Sequence, residues 1–224
     1  MIDLSGYNLI IFDCDGVILN SNHLKTSAFY KAALFAGKDI ATRFAQYHAD
    51  NGGVSRYVKF NFFIKHFLNI NPHSEKGQQL FESLLHDYSL RVKQAMLKCE
   101  MTTALESLKR KTFSASWAVA SGSDQEELRS IFRERNLANY FDLGIFGSPK
   151  CKISIVRDLI SEKLNPSKAL IIGDSFLDYR VSVEMQTDFI YISGWSECSE
   201  IKKLSSNENI ITYDSLSSLS LDLC

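Results

Sequence analysis

One pattern restricts the fold of this chain more than any other: short, wholly apolar runs that end on residues able to do chemistry. Asn8-Leu9-Ile10-Ile11-Phe12 runs straight into Asp13-Cys14-Asp15-Gly16. Similar runs at 116–120, 143–146 and 169–172 end on Ser121-Gly122-Ser123-Asp124, Gly147-Ser148-Pro149-Lys150-Cys151-Lys152 and Gly173-Asp174-Ser175, and another lies at 189–192. Runs this short and this apolar read as strands covered on both faces. Helical spacing of apolar residues fills 124–136, 153–164 and 177–185. Strands alternating with helices predict an α/β fold with a Rossmann-like parallel sheet and right-handed crossovers. The Ser-rich tail from Ser205 ends the pattern, with Ile210-Ile211-Thr212-Tyr213 as a possible last strand.

The alternation fails over one long stretch. Residues 18–97 contain no convincing strand, but apolar residues recur every three or four positions in 23–36, 42–49, 56–68 and 75–96. Gly37-Lys38-Asp39, Asn51-Gly52-Gly53 and Asn69-Ile70-Asn71-Pro72 supply turns between them. The predicted organisation is a discontinuous core of residues 1–17 and 98–224, with a helical cap domain inserted at 18–97. A chain of 224 residues accommodates that division.

Composition removes several classes of function. With 25 basic and 26 acidic side chains the formal net charge is -1, so no global field draws the protein to nucleic acid or to an anionic membrane. No apolar run approaches the ~18 residues of a membrane span. Met1-Ile2-Asp3-Leu4-Ser5-Gly6 lacks the basic and apolar parts of a secretory leader. The five cysteines are widely spaced and form no C-x-x-C pair. They read as reduced thiols of a cytoplasmic protein rather than a disulfide framework or zinc site. A monomer or small homo-oligomer is the expected state.

The strand ends carry the chemistry. Asp13 and Asp15, two residues apart past the first strand, can face one space, just where open α/β sheets bind ligands. They also read as turn carboxylates that cap the next segment. Ser121 and the Gly122 N–H form a possible phosphate cradle before a helix, while Ser123 or Asp124 can cap that helix. Lys150 or Lys152 can meet phosphate as a point charge. Asp174 lies at another strand end, with Asp178 four residues on. Hard oxygen ligands suit Mg²⁺, and Asp13, Asp174 and the Asp15 backbone carbonyl make such a set. Cys14, set between two carboxylates, reads as a small apolar spacer, because a reactive thiolate needs a cationic setting.

These motifs, in this order, resemble the haloacid dehalogenase (HAD) superfamily. The nearer resemblance is to its members with a helical cap after the first motif, which include phosphoglycolate phosphatases and β-phosphoglucomutases. The resemblance spans essentially the whole chain. It implies Asp13 as nucleophile in an aspartyl-phosphate mechanism and Asp15 as general acid, then base. It implies Ser121, Gly122 and a lysine on the phosphoryl oxygens, Asp174 on Mg²⁺, and Asp178 orienting the phosphate-binding lysine and serine. An Asp at position 15 speaks against dehalogenation, which has no alkoxide to protonate. The family's usual Lys-Pro is absent, because Pro149 precedes Lys150. Lys152, at the start of the predicted helix, is the first choice over Lys150.

The cap offers specificity residues. Gly52-Gly53-Val54-Ser55-Arg56 resembles the Gly-Val-Ser-Arg loop of β-phosphoglucomutases, in which the arginine binds the phosphate that is not transferred. By that likeness Gly53, Ser55 and Arg56 select a second anion, phosphate or carboxylate. Read from the residues alone, the segment is a helix start with a solvated arginine. Asn20-Ser21 stands where many relatives have Asp-Ser, and Lys25 where they have a histidine. Lys25 reads as a cation for a substrate carboxylate or phosphate, or as an exposed helix lysine. All five histidines fall in the insert and read as surface or packing residues. Phe29, Tyr30, Phe60, Phe62, Phe63 and Phe67 read as core packing.

The resulting expectation is a Mg²⁺-dependent phosphatase acting on a small anionic phosphomonoester, phosphoglycolate- or sugar-phosphate-like. A sugar phosphomutase and a non-catalytic binding protein on the same scaffold are the alternatives.

Overall fold

A computed structural model describes residues 3–161, 168–207 and 210–223, so the readings at 1–2, at 162–164 and at Cys224 fall outside it. Six strands, β1 (Leu9–Phe12), β2 (Ser116–Asp124), β3 (Gly144–Ser148), β4 (Ala169–Gly173), β5 (Asp188–Ile192) and β6 (Ile211–Tyr213), form one sheet. Their order is β3-β2-β1-β4-β5-β6. Every neighbouring pair is parallel.

The apolar run at β1 explains the layering. All four of its residues are buried. Alternate side chains leave a strand on opposite faces. Leu9 and Ile11 join Ile155, Val156, Ile171 and Val181 on one face. Ile10 and Phe12 join Trp117, Phe132 and Leu219 on the other. On the first face lie α7 (Lys152–Ser161) and α8 (Phe176–Met185); on the second lie α5 (Leu105–Lys111), α6 (Gln125–Glu134) and α10 (Leu216–Asp222). A strand apolar on both faces is therefore required, and a strand alternating in polarity would leave one face uncovered.

The register sets the position of the site. Phe12 pairs with Val119 of β2 and with Ile172 of β4. One step on, Asp13, Ala120 and Gly173 leave three adjacent strands at one level. The chain goes from β1 to β2 on one side and later returns to β4 on the other. A crevice opens outside the carboxyl ends of the strands at such a reversal.

Between β1 and β2 the chain is helical, with element bounds shifted from those read in the sequence. It contains α1 (Asn22–Ala33), α2 (Lys38–Asp50), α3 (Arg56–Phe62) and α4 (Glu75–Lys98). The predicted 23–36 helix tightens into a 3₁₀ turn at Leu34–Ala36 and stops at Gly37, whose φ is 100°. Lys38 and Asp39 then belong to α2 rather than to a turn. The predicted 56–68 helix closes in a π turn, Phe63–Phe67. Phe29, Phe44, Phe60, Phe63 and Tyr88 are buried together. Their rings meet at tilts and edges, such as Phe29–Tyr88 at 4.4 Å and Phe29–Phe44 at 5.4 Å between centroids. These are the offset arrangements that ring quadrupoles favour.

Three helices were not read from sequence: α5, α9 (Ser199–Asn207) and α10. The last lies in the Ser-rich tail and starts with a capping box between Ser215 and Ser218. Among the described residues no helix is long and apolar enough to cross a membrane.

Candidate active site

Asp13 is fixed by its backbone first. Its N–H donates to the Ile172 carbonyl at 2.9 Å and continues the β1–β4 ladder by one step. Its carboxylate is buried beside Lys152, whose Nζ lies 2.9 Å from Oδ1 in an ion-pair contact without hydrogen-bond alignment. Lys152 also donates to Asp178 Oδ1 at 2.6 Å. The other Asp178 oxygen accepts from the Ser175 hydroxyl at 2.6 Å and from the Ser175 N–H at 3.2 Å. That pairing is the capping box that starts α8. Asp178 thus holds Lys152 by a hydrogen bond, and the serine it holds is Ser175 and not Ser121.

Asp174 completes the group. Its Oδ2 accepts from Asn22 Nδ2 at 2.6 Å, and its carbonyl from Ser196 at 2.6 Å. Asp13, Asp174 and Asp178 each offer an oxygen within 4.8 Å of the others. Burial raises the Asp13 carboxyl; Lys152 opposes this, while Asp178 and Asp15 add to it, and the net direction is up. Burial, then the charges of Asp13 and Asp178, hold Asp174 well above the usual carboxylate range. Three carboxylates share one lysine here, and Asp13 Oδ1 is buried without a hydrogen bond. Such a set suits a divalent cation with oxygen ligands. Both Asp178 oxygens are already engaged, while Asp13 and Asp174 are the two carboxylates here that the sequence also names as ligands. Gly16 is needed beside them. It has a φ of 76°, and a Cβ there would lie 2.2 Å from Asp174 Oδ2.

Asp15 sits in different company. It accepts from Ser21 Oγ at 2.5 Å, Lys25 Nζ at 2.6 Å and Ser123 Oγ at 3.0 Å. Burial pushes its carboxyl up, but Lys25 and these hydrogen bonds outweigh it and the net direction is down. Ser21 makes no cap hydrogen bond for α1, because its hydroxyl is turned to Asp15. Lys25 is not an exposed helix lysine. It is buried between Asp15 and Ser123, 2.6 Å from each.

Several other expectations change. Lys150 pairs with Asp158 on the surface, while Lys152 enters the site. Ser121 and Gly122 do not start a helix. β2 continues to Asp124 through a register shift against β3, and Asp124 caps α6 by accepting from Glu127 N at 2.9 Å. Ser121 is buried, and its hydroxyl accepts from Ser123 N at 3.1 Å. Ser55 caps α3, accepting from Tyr57 N at 3.3 Å. Arg56 is buried rather than solvated. Its fork grips Glu127 of α6 at 3.1–3.3 Å and joins the insert to the core. Gly53 makes a second junction. A Cβ on Gly122 would fall 2.1 Å from the Gly53 carbonyl oxygen. Cys14 is buried, and burial raises its thiol well above its usual value, consistent with a spacer.

A pocket lies between insert and sheet, lined by Asp15, Lys25, Arg56, Lys59, Glu127 and Asp174 among others. The sequence profile of the haloacid dehalogenase-like hydrolases matches residues 7–181. The chain belongs to that family, and it is a hydrolase. Solved structures of HAD proteins share its fold. A β-phosphoglucomutase from Clostridium difficile is 20% identical over 95% of this chain and 93% of its own, with a TM-score of 0.71. A predicted phosphoglycolate phosphatase from Haemophilus somnus is 16% identical over 96% of each chain, TM-score 0.71. A HAD-like family hydrolase from Streptococcus pneumoniae is 18% identical over 96% of this chain and 98% of its own, TM-score 0.65. No curated protein matches the sequence.

The pocket also contains residues that the sequence did not single out: Asn22, His48, Lys59, Tyr88, Ser175 and Glu127. For Lys59 a signal existed. It shares a helix face with Arg56, Phe60 and Phe63, and a lysine on an aromatic face is out of place unless it has work to do there.

Proposed function

We propose that this HAD hydrolase is a Mg²⁺-dependent phosphatase. Its substrate would be a small anionic phosphomonoester, phosphoglycolate- or sugar-phosphate-like, cleaved through an aspartyl-phosphate on Asp13. One observation carries the reading: a buried carboxylate at the switch point of the sheet, with Lys152 against it and Asp174 beside it. Asp13 attacks phosphorus, forming an oxygen–phosphorus bond as the ester oxygen leaves. Asp15 exchanges the protons. Charged in the free protein, it takes up a proton brought in by the phosphomonoester monoanion, passes it to the leaving oxygen, and then takes one from the water that attacks the aspartyl-phosphate. Lys152 stays charged, since Asp13 and Asp178 outweigh its burial, and it faces the phosphoryl oxygens as a fixed cation. Ser121 and the Gly122 N–H complete the cradle. Asp13, Asp174 and the Asp15 carbonyl would hold Mg²⁺, which offsets negative charge on phosphate when bound. The helical insert lies over the pocket and limits it to small substrates.

A phosphomutase uses the same groups but returns the phosphoryl to sugar. The likeness of the Gly53-to-Arg56 loop to that of β-phosphoglucomutases favours that second reading. Phosphate release from p-nitrophenyl phosphate, phosphoglycolate, hexose and pentose phosphates and sugar-acid phosphates, with and without Mg²⁺, tests the first. Mg²⁺-dependent release that is lost in Asp13→Asn is the expected result. No release on any of them by folded protein would overturn it, and a bisphosphate-primed isomerisation would move the assignment to the mutase.

A further inference from the structure

Three cations of the helical insert line the pocket: Lys25, Arg56 and Lys59. Two already face carboxylates, Lys25 on Asp15 and Arg56 on Glu127. Lys59 differs. It is 1% exposed, and its Nζ lies 2.7 Å from His48 Nδ1 and donates to the His48 carbonyl at 3.3 Å. The Phe29 ring lies beneath it, 5.6 Å from Nζ to centroid. Among the described residues no carboxylate makes an ion pair with it.

A buried ammonium without a counter-charge is costly, so such a group either gives up its proton or waits for an anion. Burial and the neighbouring Lys25 charge push Lys59 down to about 7, with Asp15 opposing. The groups around it do not share that range. Burial and two nearby lysines hold His48 well below its usual value, so it is neutral. Burial raises the Tyr88 hydroxyl of α4, and Asp15 and Lys25 hold each other charged. Arg56, one turn back, is charged and neutralised by Glu127. Near neutral pH, Lys59 is the group in this wall whose charge is free to change.

We infer that Lys59 receives a second anionic group of the substrate, a carboxylate or a phosphate on the end that is not hydrolysed. This rests on the phosphatase reading and narrows its substrate class. The anion supplies the counter-charge that the fold omits, and the proton arrives with it. Sequence pattern alone gives this task to Arg56 or Lys25, but both cations are already paired. A cavity of about 50 Å³, in a measure by which one water takes roughly 10–15 Å³, admits a small acidic tail and no macromolecule.

The test compares three phosphomonoesters on the Mg²⁺-loaded protein. They are 2-phosphoglycolate, ethanediol bisphosphate and 2-hydroxyethyl phosphate, whose tails are a carboxylate, a phosphate and a neutral hydroxyl. The wild type is expected to prefer one acidic-tailed ester over the neutral one by about tenfold or more in kcat/KM. Lys59→Met removes that preference mainly through KM, and Lys59→Arg restores part of it. A preference unchanged in Lys59→Met would overturn the inference. So would hydrolysis of the neutral ester without any preference in the wild type, which would leave the phosphatase reading intact.

A second measurement needs no change at Lys59. Calorimetry of Asp13→Asn protein near pH 8, in two buffers of different ionisation enthalpy, compares 2-phosphoglycolate with 2-hydroxyethyl phosphate. Greater proton uptake with the acidic tail is expected, and equal uptake or no binding by either overturns the proposal. It decides the inference even if no ester is hydrolysed, an outcome that would sink the phosphatase reading instead.

Discussion

The floor of the candidate site, at the strand ends, and its roof, in the helical insert, solve the problem of buried charge differently. On the floor, Asp13, Lys152, Asp178 and Ser175 are linked at 2.6–3.2 Å within the sheet's own elements, and the set is short of positive charge. On the roof, cations from the insert reach into the core. Lys25 crosses to Asp15, Arg56 crosses to Glu127, and Lys59 reaches no carboxylate. On the proposed function, the floor serves a divalent cation and a phosphoryl group, and its chemistry does not depend on the tail of the ester. The roof is preset for whatever tail arrives. The contrast illustrates how one core chemistry can serve many substrates.

The sharpest way to break this contrast is at Asp13. Asp13→Asn is expected to cut phosphate release by roughly 10³-fold or more on every ester, because the proposed nucleophile is common to all. A loss confined to some esters would mean that floor and roof are not separable. Next is Lys152→Met. Removing one partner from a buried pair costs about 3–5 kcal/mol, so both thermal stability and turnover on all esters are expected to fall. Unchanged melting would show that Asp178 and Asp13 do not need the lysine.

Mg²⁺ sharpens the floor side. Asp13 and Asp174 have raised values in the folded protein, so they bind protons that the unfolded chain has released. Stability without metal is then expected to fall as pH rises above the usual carboxylate value of about 4 and through their raised values. Mg²⁺ at a hundredfold over its Kd adds about 2.7 kcal/mol, roughly 5–10 °C in Tm for a chain of this size. That gain is expected at pH 7.5 and is expected to shrink towards pH 5. A gain that grows on acidification would argue against carboxylate ligands.

On the roof, Glu127→Gln is expected to cost about 1.5–3 kcal/mol by leaving Arg56 without a charged partner. It also frees the guanidinium for ligand, and KM for acidic esters is expected to move more than kcat. The smallest effect belongs to Lys150→Ala, which lies outside the site and pairs on the surface. Less than about 0.5 kcal/mol is expected by melting.

The sequence makes the floor legible and leaves the roof mostly hidden, for a physical reason. Strands buried on both faces must be continuously apolar, so Leu9-Ile10-Ile11-Phe12 reveals itself, and Asp13 is located by where the run stops. Asp174 is located in the same way by Ala169–Gly173. Lys152 against Lys150 was a matter of helix register, which only the start of α7 settles. The roof depends on side chains that meet across 71 or 98 positions of sequence, as Arg56 meets Glu127 and Lys25 meets Ser123. No local pattern encodes such a meeting. Lys59 left a faint trace as a cation on an aromatic helix face, while α10 left none, its serines resembling a loose tail.

The seat of Gly53 on Gly122 has a consequence for how such a protein changes over time. Where insert and core touch there, main chain rests on main chain, with no room for so much as a methyl group. A joint of that kind is indifferent to the identity of the side chains around it. Residue 59 can therefore be exchanged to suit a new tail while the insert still settles at the same height above Asp13.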